Sequence, residues 1–249
     1  MYCARVRELH WGGGRNLRDL GGLPTLLSPT GRTVSRRIAR GARRETVTAA
    51  GWQAASAWGI RSIIDLRNGP EAGSREGDMG DEPPAEVSVI SAPTEDQSHP
   101  EFRRVCMPIL DSPEYWQHNV RILPQHVRRA LMAVAEAKPG ILVHCAAGRD
   151  RTGMISALLL AHAGVNADDV FHDYALAVRA MAGTAAHGEP VQDRQATWTT
   201  HQVDTWLSAN EGHVRAFATA SQDTLDELDV DKPTRTRLRA LLTEPTLSN

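Results

Sequence analysis

Residues 144–152 have the sequence HCAAGRDRT, in which Cys145 and Arg151 lie on either side of a short segment that contains Gly148. The thiolate of a cysteine such as Cys145 is a strong nucleophile. The planar guanidinium of Arg151 can hold two oxygens of a phosphate group at once, which a lysine cannot do. Gly148 permits the tight backbone path that such a stretch needs. These residue types in this order indicate nucleophilic attack by Cys145 on a phosphoryl group held by Arg151.

The stretches on either side predict how this segment is positioned. An apolar strand at residues 141–144 precedes it, and an apolar helix from Met154 to Ala163 follows it. A loop that leads from a strand end into a helix N-terminus points successive N–H groups into one concavity, where an anion is favoured. We name residues 145–152 the phosphate loop. We expect the positive electrostatic potential of its N–H groups and of the helix N-terminus to stabilise the Cys145 thiolate as well. The residues expected to bind the substrate are Ala146, Ala147, Gly148, Arg149 and Thr152.

The phosphate loop resembles the signature of the protein tyrosine phosphatases and of their dual-specificity and lipid-phosphatase relatives. Its local form, C-x-x-G-[K/R]-D-R-T-G, is similar to that of a bacterial group of atypical tyrosine and phosphoinositide phosphatases, the MptpB-like family. Three more stretches resemble that family in the same order: NLRDLGG at 16–22, IDLR at 64–67 followed by Glu71, and Val170, Asp173 and Tyr174 in a later helix. The family usually has lysine where this chain has Arg149. Because the positive charge is retained, we expect the activity to survive, with a different substrate preference. Asn16, Arg18 and Asp19 either buttress the phosphate loop or form a plain hairpin.

Strands that alternate with helices predict an α/β fold with a central sheet. The resemblance implies the cysteine phosphatase fold, with a mostly parallel sheet flanked by helices. We expect a single phosphatase domain over residues 1–249, with a helical C-terminal region from about residue 165. The segment from Pro113 to Ala137 is predicted to be helical with an interruption near Pro124. It is either ordinary core or a lid, as helical insertions are in the family. A helix break is expected near residues 210–212, Asn-Glu-Gly.

The expected reaction has two steps. The Cys145 thiolate attacks phosphorus while the loop amides and Arg151 hold the oxygens, and a general acid protonates the leaving group. Water then attacks the phosphocysteine with the same carboxylate acting as base, and Thr152 donates its hydroxyl to the departing sulfur. We expect His144 to order the loop and not to act as a base. No metal or cofactor is expected, because the amides and the guanidinium already neutralise the developing charge.

Three carboxylates are alternatives for the general acid. Asp150 lies inside the phosphate loop, as in the myotubularin-type phosphoinositide phosphatases, which share its D-R-T ending. Asp65 lies at the end of the predicted strand 62–66, where it either faces the site or forms a salt bridge with Arg67 or with the loop. Asp111 lies upstream at a placement similar to the mobile acid loop of dual-specificity enzymes. We prefer Asp150, then Asp65, then Asp111. The residues expected to be catalytic are Cys145, Arg151, Asp150 and Asp65.

The charge, the cysteine spacing and the apolar stretches of the sequence argue against several classes of protein and partner. The net charge of −2 provides no basic field that would indicate a nucleic acid. Cys3, Cys106 and Cys145 have no close spacing, which argues against a disulfide framework or a zinc site. Cys106 is expected in the core, with a regulatory disulfide to Cys145 as the alternative. No apolar stretch has the length of a signal peptide or a membrane span. The simplest location is the cytoplasm, with export by a route without a cleaved signal left open.

The quality of the leaving group determines which phosphate ester we expect as the substrate. Phosphotyrosine is the default because a phenol is a good leaving group. The resemblance adds phosphoserine, phosphothreonine and phosphoinositides, so the expected partner is a phosphorylated protein or a phosphoinositide. The charge of Arg149 would favour a multiply phosphorylated head group. Two other classes stay open: a rhodanese-like sulfurtransferase, which also has a cysteine in an anion-binding loop, and a phosphate-binding module without catalysis.

Overall fold

The computed structural model of the chain describes residues 7–185 and 194–245. Within these ranges, five strands form one sheet: β1 (Arg18–Asp19), β2 (Ile38–Gly41), β3 (Ser62–Asp65), β4 (Ser88–Ser91) and β5 (Ile141–His144). Their order across the sheet is β1-β2-β5-β3-β4. β1 runs antiparallel to β2, and the other neighbouring pairs are parallel. The prediction of a mostly parallel central sheet is therefore confirmed.

Helices surround this sheet and make up most of the C-terminal part of the described chain. They are α1 (Ala49–Trp58), α2 (Pro100–Val105), α3 (Tyr115–Ile122), α4 (Pro124–Glu136), α5 (Asp150–His162), α6 (Ala167–Met181), α7 (Thr200–Thr219), α8 (Ser221–Glu227) and α9 (Lys232–Thr243). With strands and helices arranged in this way, the fold is α/β, as predicted. Within the described ranges, no helix is both long enough and apolar enough to cross a lipid bilayer.

The two faces of the sheet are covered by different parts of the chain. Along β5, Ile141 and Val143 belong to a large apolar core that they share with residues of α2 to α9. Leu142 points to the opposite face, as strand alternation requires, and joins a smaller core with Trp11 and with Trp52 of α1. Because both faces are buried, β5 reads as an uninterrupted apolar run.

The segment predicted to be helical with an interruption near Pro124 forms α3 and α4. Pro124 is the first residue of α4, a position that tolerates its missing N–H group. Trp116 and Val120 of α3 and Leu131 of α4 are fully buried in the large core. The segment is therefore ordinary core, which was the alternative to a lid.

The break expected near residues 210–212 is wrong. Helix α7 runs without interruption from Thr200 to Thr219, and Ala220 caps its C-terminal end. Leu207 and Val214 lie on a buried face of α7, which packs against α5 and α6. This burial offsets the roughly 1 kcal/mol that Gly212 costs inside a helix.

Candidate active site

The phosphate loop lies at the carboxyl edge of β5, where α5 begins. β5 is flanked by two strands, with His144 opposite Gly41 of β2 on one side and Asp65 of β3 on the other. Helix α5 starts at Asp150, earlier than the predicted Met154. The free N–H groups and the positive dipole end of α5 are thus part of the loop itself.

Two successive carbonyl groups of the phosphate loop are bound from outside by side chains. Asn16 Nδ2 donates to the carbonyl of Ala147 at 2.9 Å and to that of Gly148 at 3.1 Å. Arg40 Nη2 also donates to the carbonyl of Gly148, at 2.9 Å. Because the C=O and N–H of a trans peptide point in opposite directions, these contacts turn the next two N–H groups towards the inside of the loop.

The carbonyl of Ala146 is held in the same way by the backbone. It accepts a hydrogen bond of 3.1 Å from the N–H of Arg43. Gly148 has a φ of 66°, and a Cβ atom there would lie 2.3 Å from the carbonyl atoms of Gly41, so no other residue fits. The N–H groups of residues 147–149 therefore point away from these three acceptor contacts, as a loop that binds a tetrahedral oxyanion requires.

Behind the loop, one buried carboxylate binds a group of arginines. Asp173 accepts from Arg7 at 2.7 Å and from Arg40 at 2.6 Å, and Arg18 Nε lies 3.7 Å from it. Arg18 Nη1 in turn donates to Asn16 Oδ1 at 2.8 Å. Burial acts to raise the pKa of Asp173, but the arginines outweigh it and hold that pKa well below its usual range. This network supports the interpretation in which Asn16 and Arg18 buttress the phosphate loop.

Asp19 has a different part in the same region. Its carboxylate accepts from the N–H groups of Gly21 and Arg36, each at 2.8 Å, and from Trp58 Nε1 at 3.1 Å. These contacts fix the turn after β1 and the end of α1, so Asp19 shapes the hairpin and does not touch the phosphate loop.

Arg151 is held between two carboxylates, Glu71 and Glu95. Glu71 accepts a short hydrogen bond from Arg151 Nη1, and Glu95 Oε2 lies 3.7 Å from the same nitrogen. Burial acts to lower the pKa of Arg151, but Glu95, Cys145 and Glu71 together raise it well above its usual range. Cys145 is 2% exposed. The thiol is thus enclosed, and it lies within electrostatic range of the Arg151 guanidinium.

Asp150 lies at the rim of the loop in a polar and aromatic setting. Arg149 Nε donates to both of its carboxylate oxygens, at 2.9 and 3.0 Å. The hydroxyl of Tyr174 donates to Asp150 Oδ1 at 3.4 Å. The guanidinium of Arg149 lies over the ring of Trp206 at 5.7 Å, so α7 contributes to the surroundings of the loop. These contacts fix the direction of the Asp150 carboxylate, which stays 17% exposed.

Asp65 is enclosed by an ion-pair cluster. Arg67 donates to its two oxygens at 2.9 and 2.6 Å and also binds Glu45 at 2.7 Å. Burial acts to raise the pKa of Asp65, but Arg67 and the neighbouring His144 outweigh it, and the net pKa is lowered. Both oxygens of Asp65 are bound by the fully buried Arg67, and the carboxylate is only 7% exposed, so these contacts favour the salt-bridge interpretation over the general-acid one.

The other predicted residues lie close to the loop with different contacts. The backbone oxygen of Asp111 accepts from Arg149 Nη2 at 3.3 Å, which places Asp111 at the same rim. His144 Nδ1 lies 3.3 Å from the carbonyl of Cys145, and burial lowers the pKa of His144, as suits a residue that orders the loop. Thr152 is buried, and its hydroxyl has no hydrogen-bond partner among the described residues. Its donation to the sulfur stays a prediction.

Cys106 lies in the large apolar core with a free thiol. Burial raises the pKa of Cys106 to about 11, so the group is a neutral thiol near pH 7. This matches the core interpretation. Cys3 lies outside the described residues.

Sequence reasoning missed several residues that the fold brings to the loop. Glu95 follows β4 at the same carboxyl edge of the sheet as Cys145, which is the signal that could have identified it. Arg40 lies in β2, next to β5, and its charge inside a buried strand was a second such signal. Arg7 carries no sequence signal, because its contact with Asp173 joins distant parts of the chain.

The match to a known family covers almost the whole described chain. Residues 9–244 match the profile described as the tyrosine phosphatase family. The sequence is 27% identical over 254 residues to the triple specificity protein phosphatase PtpB of Mycobacterium tuberculosis, covering 89% of each chain. A protein of Nostoc commune named a tyrosine-protein phosphatase is 27% identical over 150 residues, which are 60% of this chain and 51% of that protein.

A further relative comes from Cupriavidus necator, where its name gives a provisional assignment as a tyrosine-protein phosphatase. It is 31% identical over 169 residues, which are 64% of this chain and 59% of that protein. The resemblance inferred from the phosphate loop is confirmed by the profile and by these relatives. The chain therefore belongs to the tyrosine phosphatase family.

Proposed function

We propose that the chain hydrolyses phosphotyrosine through a phosphocysteine intermediate on Cys145. Membership of the family makes it a phosphoric monoester hydrolase. The observation that carries the finer proposal is the set of three loop carbonyls that accept hydrogen bonds from Asn16, Arg40 and Arg43. This arrangement leaves the N–H groups of residues 147–149 on the opposite side, where they can hold a phosphoryl group. We extend the proposal to one phosphatase domain over residues 1–249, since the profile spans 9–244 and Trp206 of α7 contacts the loop residue Arg149.

In the first step, the sulfur of Cys145 forms a bond to phosphorus as the bond to the leaving oxygen breaks. The loop N–H groups and Arg151 hold the remaining phosphoryl oxygens and stabilise the charge that develops on them. Asp150 gives a proton to the leaving oxygen. The products of this step are a phosphocysteine and a neutral alcohol or phenol.

In the second step, water attacks the phosphorus of the phosphocysteine. Asp150, now ionised, takes a proton from the water, and the sulfur leaves as a thiolate. Thr152 lies on the first turn of α5 and is proposed to donate its hydroxyl to that sulfur. Inorganic phosphate is released, and both Cys145 and Asp150 return to their starting states. Ala146, Ala147, Gly148 and Arg149 supply backbone for the phosphate site.

Asp150 is the best placed of the three acid candidates. It is part of the loop, it is partly exposed at the rim, and Arg149 and Tyr174 fix its direction. Asp65 is enclosed by Arg67 and has a lowered pKa. Asp111 meets Arg149 through its backbone oxygen.

Phosphotyrosine comes first among the proposed substrates. In the structure, the charge of Arg149 is already compensated by Asp150, which weakens the reason for preferring a multiply phosphorylated head group. Phosphoserine, phosphothreonine and phosphoinositides are retained as further substrates, supported by the name of the mycobacterial relative, which declares more than one specificity. The proposed partner is therefore a phosphorylated protein, with a phosphoinositide as the second class.

Purified protein should hydrolyse p-nitrophenyl phosphate without added metal, and vanadate should inhibit this competitively because it occupies the phosphate site. A phosphotyrosine peptide should be turned over faster than the matching phosphoserine peptide or a phosphoinositide. Thiosulfate:cyanide transfer without aryl phosphate hydrolysis would favour the sulfurtransferase alternative. Phosphate binding without turnover would favour the binding module.

The Asp150→Asn variant should show a leaving-group effect. Turnover of a phosphotyrosine peptide is expected to fall by about 10² to 10³, because its phenolic oxygen needs a proton. The kcat/KM for p-nitrophenyl phosphate, which reports the first step alone, should fall by less than about tenfold, because p-nitrophenolate leaves without a proton. Steady-state kinetics on both substrates measure the difference. If the Asp111→Asn variant shows this pattern and Asp150→Asn does not, the acid is Asp111.

A further inference from the structure

Two carboxylates face the guanidinium that the phosphoryl group needs. Glu71 accepts a hydrogen bond from Arg151 Nη1, and Glu95 Oε2 lies 3.7 Å from that nitrogen. A bound phosphate monoester adds up to two more negative charges and requires N–H groups of the same guanidinium. Like charges repel strongly where water is largely excluded. Phosphate and both ionised carboxylates therefore cannot all stay close to Arg151.

The two carboxylates differ in how firmly they are held. Glu95 is 3% exposed, and burial raises its pKa, with a further rise from Glu71 and an opposing effect of Arg151. Because its side chain is enclosed, Glu95 has no path into water and stays beside Arg151. The side chain of Glu71 is 22% exposed and ends the short turn Gly69–Glu71, so it can withdraw into water.

We propose that Glu71 occupies Arg151 in the resting enzyme and competes with the substrate's phosphoryl group for it, whereas Glu95 remains in place and positions the guanidinium. This inference rests on the proposed function, because it assigns roles at the same phosphate site. In this arrangement the Glu71 carboxylate acts as a weak intramolecular competitor, and free phosphate or substrate must displace it from Arg151.

The loop that carries Glu71 is tied to the rest of the protein by a second ion pair. Asp78 accepts from Arg43 Nη1 at 2.8 Å and from the N–H of Arg75 at 2.6 Å. Arg43 also supplies the N–H that holds the carbonyl of Ala146. Asp78 therefore helps to keep Glu71 at Arg151, and loosening this tie should weaken the competition.

The test compares inhibition constants for inorganic phosphate and vanadate across matched variants. Glu71→Gln keeps the shape and removes the charge, so both constants and the KM for a phosphotyrosine peptide should fall by about fivefold, as expected for a partly exposed ion pair. Asp78→Asn should move them in the same direction by less. Glu95→Gln should raise them. Glu82→Gln is the control, because Glu82 is an 81% exposed carboxylate on the same loop, and it should change none of them.

The measurements on Glu71→Gln, on Glu95→Gln and on the wild type test the competing role of Glu71, the positioning role of Glu95 and the proposed function separately. Higher or unchanged inhibition constants in Glu71→Gln, with its Tm close to that of the wild type, would overturn the competition and leave the proposed function intact. Unchanged constants in Glu95→Gln would overturn its positioning role. A wild-type protein that neither hydrolyses p-nitrophenyl phosphate nor binds vanadate would overturn the proposed function itself.

Discussion

Replacing Cys145 with serine should reduce hydrolysis of p-nitrophenyl phosphate by about 10⁴-fold or more. A serine hydroxyl is not ionised near neutral pH and is a far weaker nucleophile than a thiolate. The neighbouring His144 has its Nδ1 3.3 Å from the carbonyl oxygen of Cys145. The loop N–H groups and Arg151 stay in place, so the variant should still bind inorganic phosphate. Steady-state kinetics and calorimetric binding of phosphate measure the two effects.

Cys106→Ala is the matched control for this prediction. Cys106 is fully buried, and its pKa is raised to about 11 by burial, so it supplies no nucleophile. Its replacement should leave turnover within about threefold and lower stability by roughly 1 kcal/mol through lost packing. Comparable losses of turnover in both variants would mean that Cys145 acts through stability and not as the nucleophile.

Replacing Asp173 with asparagine should destabilise the fold by about 3 to 5 kcal/mol, because it leaves buried arginines without their counter-charge. Asp173 binds Arg7 at 2.7 Å and Arg40 at 2.6 Å, and it is 1% exposed. Arg40 also holds the carbonyl of Gly148, so turnover should fall along with stability. Urea unfolding followed by fluorescence measures the first effect.

The pH dependence of this loss has a definite sign. The folded-state pKa of Asp173 is lowered, since the arginines outweigh burial, and the unfolded value is about 3.9. The carboxylate therefore stabilises the fold fully above about pH 5, and this contribution shrinks as the pH falls towards the folded-state pKa. The difference between wild type and variant should stay constant from about pH 5 to 8 and narrow below about pH 4.

Asp204→Asn provides the comparison for Asp173. Asp204 pairs with Arg179 at 2.9 Å, but both side chains are about half exposed, at 53% and 48%. Its replacement should change stability by less than about 0.5 kcal/mol. If Asp173→Asn costs no more than Asp204→Asn, the buried cluster does not hold the phosphate loop in place.

The phosphate loop was predictable because its signals are local. The apolar run at residues 141–144, the glycine at 148 and the apolar stretch from Met154 specify strand, loop and helix within one short segment. The candidate roles of Cys145 and Arg151 could be predicted from that segment alone. The start of α5 was placed too late, because Asp150 and Arg151 are polar and carry no apolar periodicity although they form its first turn.

The surroundings of the loop were less predictable because they depend on tertiary contacts. Asp173 meets Arg7 and Arg40 across most of the chain, so neither local propensity nor spacing reveals the cluster. Glu95 is recognisable only once β4 is placed beside β3. The failed prediction at Gly212 has the same origin, since packing of α7 overrides the local cost of glycine.

Rapid acid quenching during hydrolysis of a phosphotyrosine peptide, followed by mass spectrometry of the peptide containing Cys145, tests the two-step mechanism most directly. The mechanism predicts phosphate bonded to the sulfur of Cys145 during turnover and none on this peptide in the Cys145→Ser variant. Turnover at the normal rate with no phosphate on Cys145, or with phosphate on another residue, would contradict it.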